Sequence, residues 1–115
     1  MPNRRLALFC RQMANLLGAG VPLSEALRTA SSSLSGRLKS IISSAANLIQ
    51  QGIPLKIALR PINKLPPVFF VNMVNIGEQT GSLEKVFSYL ADYYEKMFIL
   101  IRRTLSWLIW PAIQL

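Results

Sequence analysis

The side chains that could do chemistry are few. The chain of 115 residues has no histidine, one cysteine, and five acids against thirteen lysines and arginines. Without histidine, the commonest general base at neutral pH and the commonest metal ligand are both missing, and a Ser-His-Asp relay cannot assemble. Cys10 falls on an apolar stripe with Leu6, Phe9 and Met13, so it reads as a core residue and not a nucleophile. No Cys or His cluster has zinc-site spacing. The glycines at 18, 20, 36, 52, 77 and 81 lack the spacing of a phosphate-binding loop. Among the acids, Asp92 and Glu95 stand three apart on one predicted helix, as many solvated pairs do. Glu78 and Glu25 come from separate turns. They are the one pair conceivable for a hard divalent cation, and two carboxylates do not establish such a site. The chemistry points to binding surfaces, with no catalytic residue, no metal and no cofactor.

The element that must position these groups is the stretch Ile76-Gly77-Glu78-Gln79-Thr80-Gly81-Ser82-Leu83-Glu84. Gly81 suits the left-handed residue that ends a helix, and Glu84 can sit in the first turn of the next. Glu78 falls in the last turn of the incoming helix, where a carboxylate opposes the helix dipole. Water could account for that placement. So could hydrogen bonds from the free N–H groups of the next helix, or a cation from another turn. Gly77, Glu78 and Gly81 are therefore expected to shape the central joint.

The joint recurs. Gly20-Val21-Pro22-Leu23-Ser24-Glu25-Ala26-Leu27-Arg28 aligns with Gly52-Ile53-Pro54-Leu55-Lys56-Ile57-Ala58-Leu59-Arg60, and Gly81-Ser82-Leu83-Glu84-Lys85-Val86-Phe87 is a weaker third copy. In each, glycine ends one helix, proline or serine opens the next, and leucine starts a new apolar stripe. Three such units predict three helical hairpins closing on one core. The periodicity predicts helices over residues 4–17, from Pro22 onward, from about Arg37 to Gly52, over a short segment from Pro54 to Leu59, from about Pro67 to the glycine stop at the Gly81 joint, and over 83–101. Ser31 to Ser35 with Gly36 reads as a turn, and Pro61 to Pro67 as a loop. The segment Val68 to Ile76 has almost no polar face, so it is expected to be buried all round or to lie against a second subunit. A strand is its competing assignment.

Composition sets further bounds. About half the residues are apolar (51%) but only 16% are charged, against an average of about 25%. Part of the surface is therefore expected to be covered by something other than water. The net charge of +8 admits nucleic acid, anionic lipid, an acidic partner or simply a solvated basic face. No dense basic stripe forms, the aromatics sit on apolar faces, and the segment after Gly20 has few polar recognition residues, so nucleic acid is not expected. One cysteine excludes an internal disulfide. The N-terminus lacks the unbroken apolar run of a secretory signal. After Arg102-Arg103, residues 104–115 carry no charge and include Trp107 and Trp110. Twelve residues are shorter than the roughly twenty a membrane span needs. With paired arginines and interfacial tryptophans, they read as the start of a span, with residues 1–103 on the cytoplasmic side; the alternative is a helix that folds back on the bundle.

These residues resemble a known family. Leu6 to Leu27, with Arg11-Gln12, Gly18-Ala19-Gly20-Val21-Pro22-Leu23 and Glu25-Ala26-Leu27, is similar to the opening of the cytoplasmic F domain of type II secretion systems and of the PilC-type platform proteins of type IV pili. Gln51-Gly52-Ile53-Pro54-Leu55, Asn75-Ile76-Gly77-Glu78-Gln79-Thr80-Gly81-Ser82-Leu83, Leu90-Ala91-Asp92-Tyr93-Tyr94-Glu95 and Trp110-Pro111 resemble its later motifs. The resemblance covers roughly residues 6–112, and its first domain copy fits better than its second. Cys10 stands where a hydroxyl residue is expected, and Ile76 where a small one is. The resemblance implies an all-α fold, an antiparallel six-helix bundle built from three helical hairpins. It also implies a non-enzymatic platform of the bacterial inner membrane. Its partners would be the cytoplasmic secretion or pilus ATPase, other inner-membrane assembly proteins, the membrane through the C-terminal segment, and further copies as a homodimer or higher oligomer. Arg11, Arg28 and Arg60 are candidates for a partner face. The alternatives are the related platform of a competence pseudopilus or archaellum, and a basic helical nucleic-acid-binding module.

Overall fold

The computed structural model describes residues 2–64 and 69–97. Among them, every regular element is helical: α1 Pro2–Gly18, α2 Leu23–Ser32, α3 Gly36–Gln50, α4 Leu55–Ala58, a 3-10 helix Arg60–Lys64, and α5 Phe69–Thr80. A further helix, α6, covers residues 83–97. The strand alternative for the apolar segment before Gly77 is excluded, because α5 occupies it. The parts of the expectations that fall on residues 65–68 and 98–115, including the tail after Arg103, lie outside the described residues.

Helical spacing of apolar residues generates the core. Phe9 and Met13 from α1, Leu27 from α2, Ile42 from α3, Leu55 from α4, Ile62 from the 3-10 helix, Phe70 and Val74 from α5, and Phe87, Leu90 and Tyr94 from α6 are all fully buried. Removing a buried side chain of this size from water contributes about 1.5–3 kcal/mol each. Phe9 meets Phe87 edge to face, with ring centroids 5.8 Å apart at 85°. Phe70 lies tilted on Tyr94 at 6.3 Å. α2 packs chiefly on α3, and Gln12 of α1 donates through Nε2 to Ser33 Oγ in the turn between them (3.1 Å).

The relation of α1 to α6 is fixed by two contacts. Arg11 reaches Asp92 and Glu95, while the Glu84 side chain lies over Gly18, its Oε1 2.7 Å from where a Cβ would stand. Moving forward along α1 from 11 to 18 means moving backward along α6, so these two helices run in opposite directions.

Three expectations need correction. Ser31 and Ser32 belong to α2 and not to a turn, because each hydroxyl bonds within the helix: Ser31 Oγ donates to Arg28 O and Ser32 Oγ to Thr29 O, both at 2.7 Å. The start of the expected loop, residues 61–64, is 3-10 helix. Buried Ile62 draws this segment onto the core, and its N–H reaches Leu59 O at 3.0 Å. α5 is not buried all round. Phe70, Val71, Val74 and Gly77 face inward, but Asn72, Ile76 and Gln79 form an exposed face at helical spacing, with Ile76 52% exposed.

Gly77 shows why that helix approaches α6 so closely. A Cβ there would stand 2.8 Å from Val86 Cγ2 and 3.3 Å from Leu83 Cα. Neither a β-branched side chain nor backbone can swing aside. Gly77→Ala is therefore expected to destabilise the fold by about 1–3 kcal/mol, the usual cost of overpacking. Thermal unfolding followed by circular dichroism should show a lowered midpoint, partly recovered when Val86→Ala is added. An unchanged midpoint would contradict the close packing.

Candidate functional site

The three joints share one backbone geometry. Gly20, Gly52 and Gly81 adopt φ of +86°, +88° and +70°. The residue after each donates its N–H to the carbonyl five positions back: Val21 to Leu16 O at 3.0 Å, Ile53 to Leu48 O at 3.0 Å, and Ser82 to Gly77 O at 2.9 Å. This is the Schellman closure of a helix end, which a side chain at the left-handed residue would strain. The next helix then opens on a carbonyl supplied by the joint: Pro22 O takes the Ala26 N–H, Pro54 O that of Ala58, and Ser82 O that of Val86. The repeat seen in the letters is thus a repeat of hydrogen bonds.

Glu78 links two of these joints. Its Oε2 accepts the Leu55 N–H at 2.9 Å, in a half-buried position. Leu55 is the first residue of α4, and its N–H has no partner within that helix. Glu78 thus accepts a helix N–H, but the donor belongs to α4 and not, as one expectation has it, to the helix that follows in sequence. Magnitudes explain the placement. A carboxylate at a helix C-terminus loses about 0.3–1 kcal/mol to the dipole, whereas a hydrogen bond to a charged acceptor contributes about 1.5–3 kcal/mol.

Arg11 forms a second long-range link. It donates from Nη2 to Asp92 Oδ1 and to Glu95 Oε2 (3.2 Å), and from Nε to Glu95 Oε1 (3.3 Å). Donating to Glu95, and then to Asp92, pushes the guanidinium's pKa further up. Asp92 and Glu95 are therefore a clamp for α1 and not merely solvated. Their spacing on α6 could have suggested a shared cation, but nothing in the sequence says which one, since Arg11 lies more than eighty residues away. Arg28 donates from Nη2 to Asn47 Oδ1 (3.0 Å) and Gln50 Oε1 (2.7 Å), tying α2 to α3. Arg60 is exposed at the start of the 3-10 helix. No hydrogen bond or ion pair among the described residues joins Arg11, Arg28 and Arg60 to one another. Glu25 is exposed in the first turn of α2, and among the described residues no group of three or more His, Cys, Asp or Glu is placed to hold a metal ion. Cys10 is fully buried, and burial pushes its thiol pKa up, with Arg11 opposing weakly.

The model of the family described as type II secretion system (T2SS), protein F, matches residues 9–115. The chain belongs to this family. It is 34% identical over 112 residues to the type II secretion system protein F of Aeromonas hydrophila, covering 94% of this chain and 28% of that protein. It is 39% identical over 108 residues to the type IV pilus assembly protein PilC of Thermus thermophilus, covering 94% and 27%, and 33% identical to the type 4 fimbrial assembly protein PilC of Pseudomonas putida over 110 residues, covering 96% and 27%. This T2SS F-family chain thus spans about a quarter of the length of the curated relatives it matches. No helix among its described residues is long and apolar enough to cross a membrane.

Two outcomes follow for this F-family domain. Glu78→Ala leaves the Leu55 N–H without its acceptor and should cost about 1–3 kcal/mol in urea unfolding. Glu78→Gln keeps an acceptor oxygen and should cost less, and equal stability of all three proteins would refute the link. Cys10 should resist alkylation by iodoacetamide in the native state and react once the chain is unfolded, because the thiolate is the nucleophile and burial suppresses it. Rapid native-state labelling would contradict its place in the core.

Proposed function

We propose that this chain is the first cytoplasmic domain of a non-enzymatic inner-membrane platform that assembles a type II secretion machine or a type IV pilus. Its work is mechanical: it couples the cytoplasmic assembly ATPase to the membrane complex through binding surfaces. The observation that carries this reading is the family match over residues 9–115, with relatives named for both machines. Residues 1–103 form the bundle on this account, in the antiparallel six-helix arrangement of three hairpins, and residues 104–115 begin a membrane-spanning helix. The opposite running of α1 and α6 supports the first point. Arg102, Arg103, Trp107 and Trp110 in the sequence support the second.

Arg28 and Arg60 are exposed and supply cations for a partner face, while Arg11 serves it by holding α1 against α6. Ile76, exposed on α5, supports pairing with a second copy. In the native host, deletion of the parent gene should abolish either export of the secreted enzymes or piliation, and the tagged parent protein should co-purify the matching ATPase from detergent-solubilised membranes. Intact export and intact pili in the deletion strain would overturn the proposal.

A further inference from the structure

Acidic charge is sorted along the bundle axis. Because α1 and α6 run in opposite directions, the start of α1 lies at the end toward which α6 runs. Arg4 and Arg5 are exposed there. The start of α3 lies at the same end, because the Arg5 guanidinium sits beside Gly36, its Nη1 3.6 Å from where a Cβ would stand. Gly36 is followed by Arg37 and Lys39, both exposed. The acids lie elsewhere. Glu84 is over Gly18 at the far end of α1, Glu78 is in the last turn of α5 beside Gly81, and Glu25 opens α2 just after the Gly20 joint. The remaining two, Asp92 and Glu95, are held by Arg11.

We infer that this end of the bundle, carrying Arg5, Arg37 and Lys39 with Arg4, is a docking surface for anionic lipid headgroups. The surface rests on the reading that the chain beyond α6 leads into a membrane. α6 points toward this end, and the next charges in the sequence are Arg102 and Arg103, before the uncharged tail. A membrane entered by that tail would face the basic end and not the joint end that holds Glu25, Glu78 and Glu84. Cations near an anionic leaflet each strengthen binding about fivefold, and the effect fades within a Debye length of the surface. The docked end would fix the tilt of the domain over the bilayer, leaving the three joints pointing away from it.

The test uses the whole 115-residue chain and two sets of vesicles, phosphatidylcholine alone and phosphatidylcholine with about one third phosphatidylglycerol, read by co-sedimentation. Binding to neutral vesicles reports the apolar tail, and the anionic-over-neutral ratio reports the basic end. Arg5→Gln/Arg37→Gln should lower that ratio about 25-fold, at about fivefold per cation. Lys56→Gln/Lys85→Gln removes the same charge beside the Gly52 and Gly81 joints and should leave the ratio nearly unchanged. Arg5→Lys/Arg37→Lys should retain it. If the first double variant fails to fold by circular dichroism, Arg37→Gln alone should lower the ratio about fivefold.

An equal fall in both double variants would mean that net charge alone acts, and would overturn the inference. So would a native ratio near one with neutral binding intact, which leaves the membrane-entry reading standing. Loss of binding to both vesicle types would overturn both. Displacement of vesicle-bound chain by duplex DNA, dependent on the same two arginines, would reassign the surface to nucleic acid and also overturn the inference.

Discussion

A helix of one turn cannot satisfy its own ends. α4 runs only from Leu55 to Ala58, so nearly all of its backbone groups belong to a terminus. Pro54 O takes the N–H groups of Ile57 and Ala58, and Leu59 N–H returns to Leu55 O. The Leu55 N–H is left pointing away, and Glu78, more than twenty residues on, accepts it at 2.9 Å. Leu55 is itself fully buried, so an unsatisfied N–H here would be a costly defect at the edge of the core. The same carboxylate fixes the last turn of α5, and that turn carries Gly77, the close contact with α6. One side chain therefore ties α4 to the turn of α5 that packs on α6.

Around that contact the molecule repeats a simple device. A left-handed glycine closes a helix, a proline or serine supplies the carbonyl that opens the next, and a leucine turns inward. The device works because each part answers a separate backbone need: the final carbonyls of one helix, the first donors of the next, and a hydrophobic anchor to hold the corner. It leaves the joint end rich in backbone hydrogen bonds and in the acids not bound by Arg11. The opposite end, where α1 and α3 start, carries Arg5, Arg37 and Lys39. A domain built this way has two chemically distinct ends, which suits a body that must meet different neighbours on either side.

Much of this was legible from residue types alone. The glycine-proline-leucine triplets predict the three joints because their conformational needs are local. The core stripes of α1, α3 and α6 follow from spacing. Glu78 stands out in the sequence because it sits at the unfavourable end of a helix dipole, a conflict that a tertiary partner resolves. The identity of that partner was not legible, because the pairing of Glu78 with Leu55 depends on how α4 and α5 pack. The same holds for Arg11 with Asp92 and Glu95, where each residue looks like ordinary solvent-facing charge until the helices are brought together. The 3-10 helix was hidden because Pro61 and Asn63 read as breakers, while the burial of Ile62 decides the outcome. α5 looked uniformly apolar because Asn72 and Gln79 are few, yet their spacing with Ile76 makes one open face.

The most direct measurement of the central claim is native-state hydrogen exchange of the Leu55 amide, read by NMR alongside the amides of α5. If Glu78 locks α4 to the core, the Leu55 amide exchanges only through the same cooperative opening that exposes Val74, with matching free energy and denaturant dependence. Exchange of Leu55 near its intrinsic rate while Val74 stays protected would show that α4 frays independently, and would contradict the claim that this carboxylate holds the joint.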